Sequence, residues 1–269
     1  MAVFTELSDE DRVSITAAYG MTSLTSVIGI ADGDSETTYL FRCGEGEFIV
    51  TLFENGAEPL DLEKAFETME TLCDDGVPCP RPMRTMEGLA TFQAAGRLVA
   101  VVSFVSGSAT NDVSSARSAS LGRAMAQIHT SLERSPIRAM TGLPTGSVHG
   151  ALDHQNVFFL GEDVSGIINF RLRHDDVLIS EVADVLVGWA SQTTGALDTE
   201  RARALLQGYQ EIRKLTEAER EALPGFVMAS AARRYASVTD RTCLPGAAML
   251  AYKSVDPHVV TYDPGPTRS

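Results

Sequence analysis

Lysine is nearly absent from this chain. Only Lys64, Lys214 and Lys253 contribute lysine to its 22 basic residues, so a mechanism needing a catalytic or phosphate-binding lysine has three candidates. The basic residues are outnumbered by 36 acidic ones, for a formal charge of −14. That surplus excludes nucleic acid as a partner and docking to an anionic membrane, because both would repel it. Cysteine is scarce as well. Cys43, Cys73, Cys79 and Cys243 form no C-x-x-C pair and no dense framework, which excludes a disulfide scaffold and points to reduced, buried thiols. Long apolar runs are missing. The longest, Leu98 to Val102, suits a buried strand and is far too short to span a bilayer. The opening Met1-Ala2-Val3-Phe4-Thr5-Glu6 has neither a basic leader nor an apolar h-region, so the expected location is cytoplasmic, with no direct membrane insertion. What remains is ample for folding: 44 % of the 269 residues are apolar, enough for one large domain or two lobes.

The pattern along the chain divides in two. Ser8-Asp9-Glu10-Asp11 is a helix start, with a hydroxyl to cap a free amide and acids at the positive end of the dipole; this helix should stop near Gly20. Extended segments follow at about 25–31, 37–43 and 47–53, the last two joined across Gly44-Glu45-Gly46. Pro59 opens a helix with Leu62, Phe66, Met69, Leu72 and Cys73 on one face, ended by Gly76. Pro78, Pro80 and Pro82 make a stiff connector, and strands are expected near 89–94 and 97–105. A hinge at Ser106-Gly107-Ser108 separates this part from a mostly helical remainder: helices at 115–133, 179–192, 199–213 and 216–240, with a hairpin of Val157–Leu160 and Gly166–Ile168 around Gly161-Glu162-Asp163. Thr216 and Glu219 form a capping box. The expected domains are 1–105, 106–252 and a loosely packed tail, 253–269. Trp189 and Phe104 read as core.

The stretch that carries chemistry is His149-Gly150-Ala151-Leu152-Asp153-His154-Gln155-Asn156, followed by an apolar hairpin and Ile167-Ile168-Asn169-Phe170. Here the chain resembles the aminoglycoside phosphotransferase and choline kinase superfamily, whose loop reads H-G-D-x-x-x-x-N and whose hairpin ends I-D-F. The opening M-A-V-F-T-E, V-P-C-P-R-P at 77–82, A-L-L-x-G-Y-Q at 204–210 and A-E-R-E-A-L-P at 218–224 are similar to its homoserine kinase branch. The resemblance covers most of the chain. It implies an α+β, bilobal, protein-kinase-like fold with a five-stranded antiparallel N-lobe and a mainly helical C-lobe. It also implies ATP and Mg²⁺ as cofactors wherever nucleotide binding survives. Asn156 is then the remaining metal-ligand position, and Ser35, Thr37, Thr38, Thr51 and Glu70 are the nucleotide-site positions.

Against that pattern two residues stand out. Phosphoryl transfer positions the acceptor hydroxyl with a carboxylate and neutralises phosphate charge with Mg²⁺ held by an Asp and an Asn. The base position holds Ala151 and the metal-binding position holds Asn169, while His149 and Asn156 are retained. Losing a general base costs about 10²–10⁴ in rate, and without the second carboxylate a hard cation loses the charge it prefers. Asp34 and Glu36 place negative charge in the loop that covers phosphates in the family, and Glu181 replaces a second family Asp, while Asp176 is kept. The nineteen residues between His129 and His149 are too few for the pair of helices that walls the family's acceptor pocket.

These departures favour a homoserine-kinase-like pseudokinase, acting through another protein as partner. The alternative is a weak or repurposed ATP-dependent phosphotransferase acting on homoserine or a similar small amino alcohol, with Asp153 or Asp176 replacing the lost carboxylates. His149, His154, His174, Asp175 and Asp176 fit neither a helical zinc spacing nor a finger. Arg171, Arg173 and His174 read either as a solvated loop or as an anion- or partner-binding patch. Cys73 and Cys79 lie near no base that would make them nucleophiles. Either Arg233 or Arg234 occupies the late-helix arginine position of homoserine kinases.

Overall fold

The computed structural model describes residues 5–30, 36–133, 142–192, 196–236, 251 and 253. The chain divides into two compact units, residues 1–105 and 106–269.

In the first unit, α1 (Asp9–Ala18) starts at Ser8, whose Oγ accepts from Asp11 N while the Asp11 carboxylate takes Ser8 N. Strands β1 (Ser26–Ile30), β2 (Glu36–Cys43), β3 (Gly46–Phe53), β4 (Pro82–Met83), β5 (Thr91–Ala94) and β6 (Arg97–Ser103) make one sheet. Its order is β1-β2-β3-β6-β4, with β5 also on β6, and every pairing is antiparallel. The sheet is therefore six-stranded, not five-stranded as expected. The extra strand is a two-residue edge, Pro82 opposite Val102 and Met83 opposite Val101. Two residues are too few to show alternation, and a proline is tolerated where no ladder N–H is needed. Tyr39, Phe41, Val50, Leu52, Val99 and Val101 bury one face of the sheet against Ile15 and Tyr19. Helix α2 (Pro59–Asp74) lays Leu62 and Phe66 against Phe53, Ala90 and Ala100. Phe104, expected in the core, is partly exposed just past the end of β6.

The second unit holds α3 (Ser115–Leu132), β7 (Thr145–Val148), β8 (Val157–Leu160), β9 (Asp163–Ile167), a 3₁₀ turn at Phe170–Leu172, β10 (His174–Val177), α4 (Leu178–Ala190), α5 (Thr199–Ile212) and α6 (Glu217–Ala236). The β8–β9 turn is Gly161-Glu162 alone, because Asp163 pairs with Leu160. β10 pairs antiparallel with β7, His174 opposite Val148, so the loop expected at Arg171–His174 is a 3₁₀ turn running into a strand. Helix α4 buries residues all round, Ile179 and Val182 as well as Leu186 and Trp189, the pattern of a central helix. The expected extension of α6 to residue 240, like nearly all of the tail, lies outside the described residues. Among those described, no helix is long and apolar enough to cross a membrane.

Candidate functional site

The loop 149–156 runs from β7 to β8 and is fixed from beneath by buried groups. The His149 ring is fully buried. Its Nε2 lies 2.8 Å from the Ile168 carbonyl and its Nδ1 3.2 Å from Ala151 N. Ala151 N must donate, so Nδ1 accepts and Nε2 carries the hydrogen. Burial pushes the His149 pKa down, in keeping with this neutral tautomer, and Phe170 packs edge-on at 4.7 Å. Gly150 has φ +81°, and a Cβ there would meet Leu172 O at 2.7 Å and the His174 ring at 2.8 Å, so only glycine fits the turn.

Glu181, in the first turn of α4, holds the loop's backbone. Its carboxylate accepts from Gly150 N at 2.6 Å and His149 N at 3.3 Å, and it meets His129 Nε2 at 2.9 Å. Burial opposes the charge on Glu181, yet the hydrogen bond and proximity of His129, with the Gly150 amide, hold its carboxyl below the usual range. The chain of contacts continues. His129 Nδ1 lies 2.7 Å from Tyr209 Oη, and Arg213 Nη1 reaches Tyr209 Oη at 3.2 Å and Glu219 Oε1 at 2.9 Å. Glu219 forms the expected capping box with Thr216. The sequence marked Glu181 as a replacement and His129 only as an interval boundary. The signal for their pairing was one that only the folded chain supplies, a histidine on α3 brought to the start of α4.

The positions marked by the two substitutions come together. Asn156 is buried, its Nδ2 donating to Ala151 O at 3.0 Å. Asn169 Nδ2 lies 3.5 Å from Asn156 Oδ1. Asn169 has φ 71° and ψ 42°, a left-handed conformation that asparagine adopts readily. Together these side chains offer two neutral amide oxygens and no carboxylate. Among the described residues no group of three or more His, Cys, Asp or Glu could hold a metal ion. The Asn156–Asn169 pair therefore lacks the oxygen anion that Mg²⁺ prefers.

The two candidate replacements face one cavity of about 260 Å³ in the second unit, whose walls include Ala151, Asp153, His154, Asp176, Asp184 and Arg234. Asp153 Oδ1 accepts from Gln155 N and Asn156 N at 3.0 and 3.2 Å, and its Oδ2 makes no hydrogen bond among the described residues. Asp176 has both oxygens engaged, by Val177 N and Ser180 Oγ, each at 2.7 Å. His154 is clamped, its ring nitrogens facing Thr110 O and Gly188 O and its ring 3.9 Å from that of Trp189. Arg233 and Arg234 separate here: Arg233 pairs with Asp184 at 2.7 Å, whereas Arg234 lines the cavity.

The remaining expected positions lie in the first unit, apart from Ser35, which is outside the described residues. Thr38 and Thr51 are direct cross-strand neighbours. Thr37 is buried, accepting from Thr5 N and donating to Glu54 at 2.5 Å. Glu70 is engaged by Arg84 through two bonds of 2.6 and 2.9 Å.

Comparison with known proteins places these features among phosphotransferases. The phosphotransferase enzyme family matches residues 26–142. The homoserine kinase of Gluconacetobacter diazotrophicus is 32 % identical over 299 aligned positions, covering 94 % of this chain and 93 % of the relative. That of Acidiphilium cryptum is 31 % identical and covers 87 % and 86 %. Among solved structures, an aminoglycoside phosphotransferase from Alicyclobacillus acidocaldarius superposes with a TM-score of 0.65 at 13 % identity, over 91 % of this chain and 96 % of that one. A microcompartment-associated aminopropanol kinase superposes at 0.59 and 16 % identity, over 90 % and 95 %. The architecture of the two units is thus the aminoglycoside phosphotransferase, protein-kinase-like fold.

Proposed function

Because this chain belongs to the homoserine kinase family of phosphotransferases, we propose that it is an ATP-dependent kinase for homoserine or a similar small amino alcohol, with turnover far below that of an intact catalytic loop. The similarity to homoserine kinases over nearly the whole chain carries this reading. It weighs for the kinase alternative of the sequence and against the binding-only one. The acceptor sits in the cavity of the second unit, and Asp153 Oδ2 stands in for the base absent at Ala151. The nucleotide arrives with its own cation as substrate, since the Asn156–Asn169 pair offers no carboxylate to hold one. Without a carboxylate at Ala151, the rate falls by about 10²–10⁴, equivalent to roughly 3–5 kcal/mol of barrier.

A second reading, a pseudokinase that acts by binding a partner protein, is favoured by one observation: both positions that carry acid in the family are neutral, and both meet Asn156, Asn169 through its side chain and Ala151 through its carbonyl. One assay separates the two. Homoserine-dependent ADP release by the purified chain should be slow and measurable. It should fall at least tenfold in Asp153→Asn, which keeps the Oδ1 that caps the turn, and rise about 10²–10⁴-fold in Ala151→Asp/Asn169→Asp. No acceptor-dependent ADP release from the unaltered chain, with unchanged thermal stability of the variants, would select the pseudokinase.

A further inference from the structure

Helix α2 ends on Cys73 and Asp74, and the chain reverses at once, Val77 N reaching back to Leu72 O at 2.9 Å. The reversal returns Cys79 to the helix end, its Sγ 3.2 Å from Cys73 Sγ. Pro78 and Pro80 flank Cys79 and fix the backbone on either side, so the approach is built into a stiff strap. Both thiols are free and half-buried, open to a small solute. The surroundings treat them differently. One S–H is shared between the two sulfurs, either thiol being able to donate it, and Arg81 lies close by; the contact draws the Cys73 thiol down and, with burial, pushes Cys79 up. Arg81 also pairs with Asp74 at 3.3 Å. No third ligand joins the two sulfurs, since no metal-holding group of His, Cys, Asp or Glu exists among the described residues.

We propose that Cys73 and Cys79 form an oxidisable dithiol that takes a hydroperoxide as its co-reactant and closes to a disulfide. This stands independently of the reading of the catalytic loop. The Cys73 thiolate attacks hydrogen peroxide, forming an S–O bond and breaking the O–O bond; the hydroxide released takes up the proton that Cys73 gave up on ionising, so one sulfenic acid and one water result. Cys79 sulfur then attacks Cys73 sulfur; the S–O bond breaks, and the departing hydroxide takes the Cys79 proton as a second water. Two thiols are oxidised to one disulfide and the peroxide is reduced to two waters. The sulfurs need to close by about 1 Å to reach bonding distance. The bond would tie the end of α2 to the strap that continues into Arg84, whose guanidinium already grips Glu70 and Glu63 on the same helix. Oxidation would thus add a covalent tie beside an ionic one and fix α2 at two points.

The test is hydrogen peroxide titrated into the full chain, with intact mass and non-reducing peptide mapping. The expected product is about 2 Da lighter, with a Cys73–Cys79 cross-link formed roughly tenfold or more faster than any oxidation of Cys43, whose thiol is pushed up by burial. Hydrogen exchange across 70–84 should slow on oxidation and recover with a reductant. In Cys79→Ser, which lacks the resolving thiol, a dimedone adduct should accumulate on Cys73. Overoxidation of either residue without a cross-link, a bond to Cys43 or Cys243 instead, or trapping at Cys79 in preference to Cys73 would each overturn the proposal. The mapping of the unaltered chain decides the matter even where the variant fails to fold.

Discussion

Glu181 shows how one side chain can hold a whole loop in place from beneath. It sits fully inside α4 and meets two consecutive backbone amides and one imidazole. Removing it would leave three donors without their acceptor, two of them on the buried His149 and His129, at a cost of roughly 3–5 kcal/mol. Glu181→Ala should therefore lower the denaturant midpoint steeply without changing its slope, and Glu181→Gln, which keeps an acceptor oxygen, should recover part of the loss. A Glu181→Ala variant with unchanged stability would show that water replaces the carboxylate. At this scale the sequence was partly readable. Ala151, Asn156 and Asn169 stood out because a known pattern fixed what should occupy their positions, and the structure places them together. Thr37 had no such guide to its partner: its burial against Glu54 depends on β2 and β3 pairing in one register.

Among the elements, α3 and α5 cross at close range. A Cβ on Gly122 would run into the Leu205 carbonyl oxygen, and one on Gly208 into that of Ala119. Glycine to alanine inside a helix ordinarily gains up to about 1 kcal/mol. Here the clash is with backbone, which cannot rotate away, and overpacking costs about 1–3 kcal/mol. Gly122→Ala and Gly208→Ala should each lower Tm, where either change on an exposed helix face would raise it. Long elements were legible from periodicity and caps: α1 from Ser8, α2 from Pro59 and its apolar stripe, β2 and β3 from their glycine turn. The elements that escaped are β4, β7 and β10, with two to four residues each. A strand so short has no period of its own, and what makes it a strand is the distant partner it meets. His174 and Asp175 are polar and exposed, yet they sit in a sheet because β7 offers its backbone.

For the molecule as a whole, the described titrating groups with lowered pKa act in one direction. Glu54, with its side chain almost inaccessible, is held at about 2 by hydrogen bonds from Thr37 and Thr5 and by Arg97. Glu181 is held below its ordinary value as well, and burial keeps His149 neutral. In each case the folded state binds its proton less readily than the unfolded chain. Their contribution is complete above the unfolded pKa values and is lost as pH falls, first through that of His149 and then through those of the carboxyls, down to about 2 for Glu54. Stability measured against pH should rise from acid to neutral. Glu54→Gln should flatten the lowest part of that curve, and an unchanged acid limb would assign it to other groups.

The buried contacts between the loop and α6 also impose a direction on hydrogen. Arg213 can only donate and an ionised Glu181 can only accept. Tyr209 oxygen therefore receives from Arg213, and the Nε2 hydrogen of His129 goes to Glu181. The loop 149–156 and the first turn of α6 are consequently joined by one continuous run of buried polar contacts, so a group lost from its middle leaves partners on both sides unsatisfied.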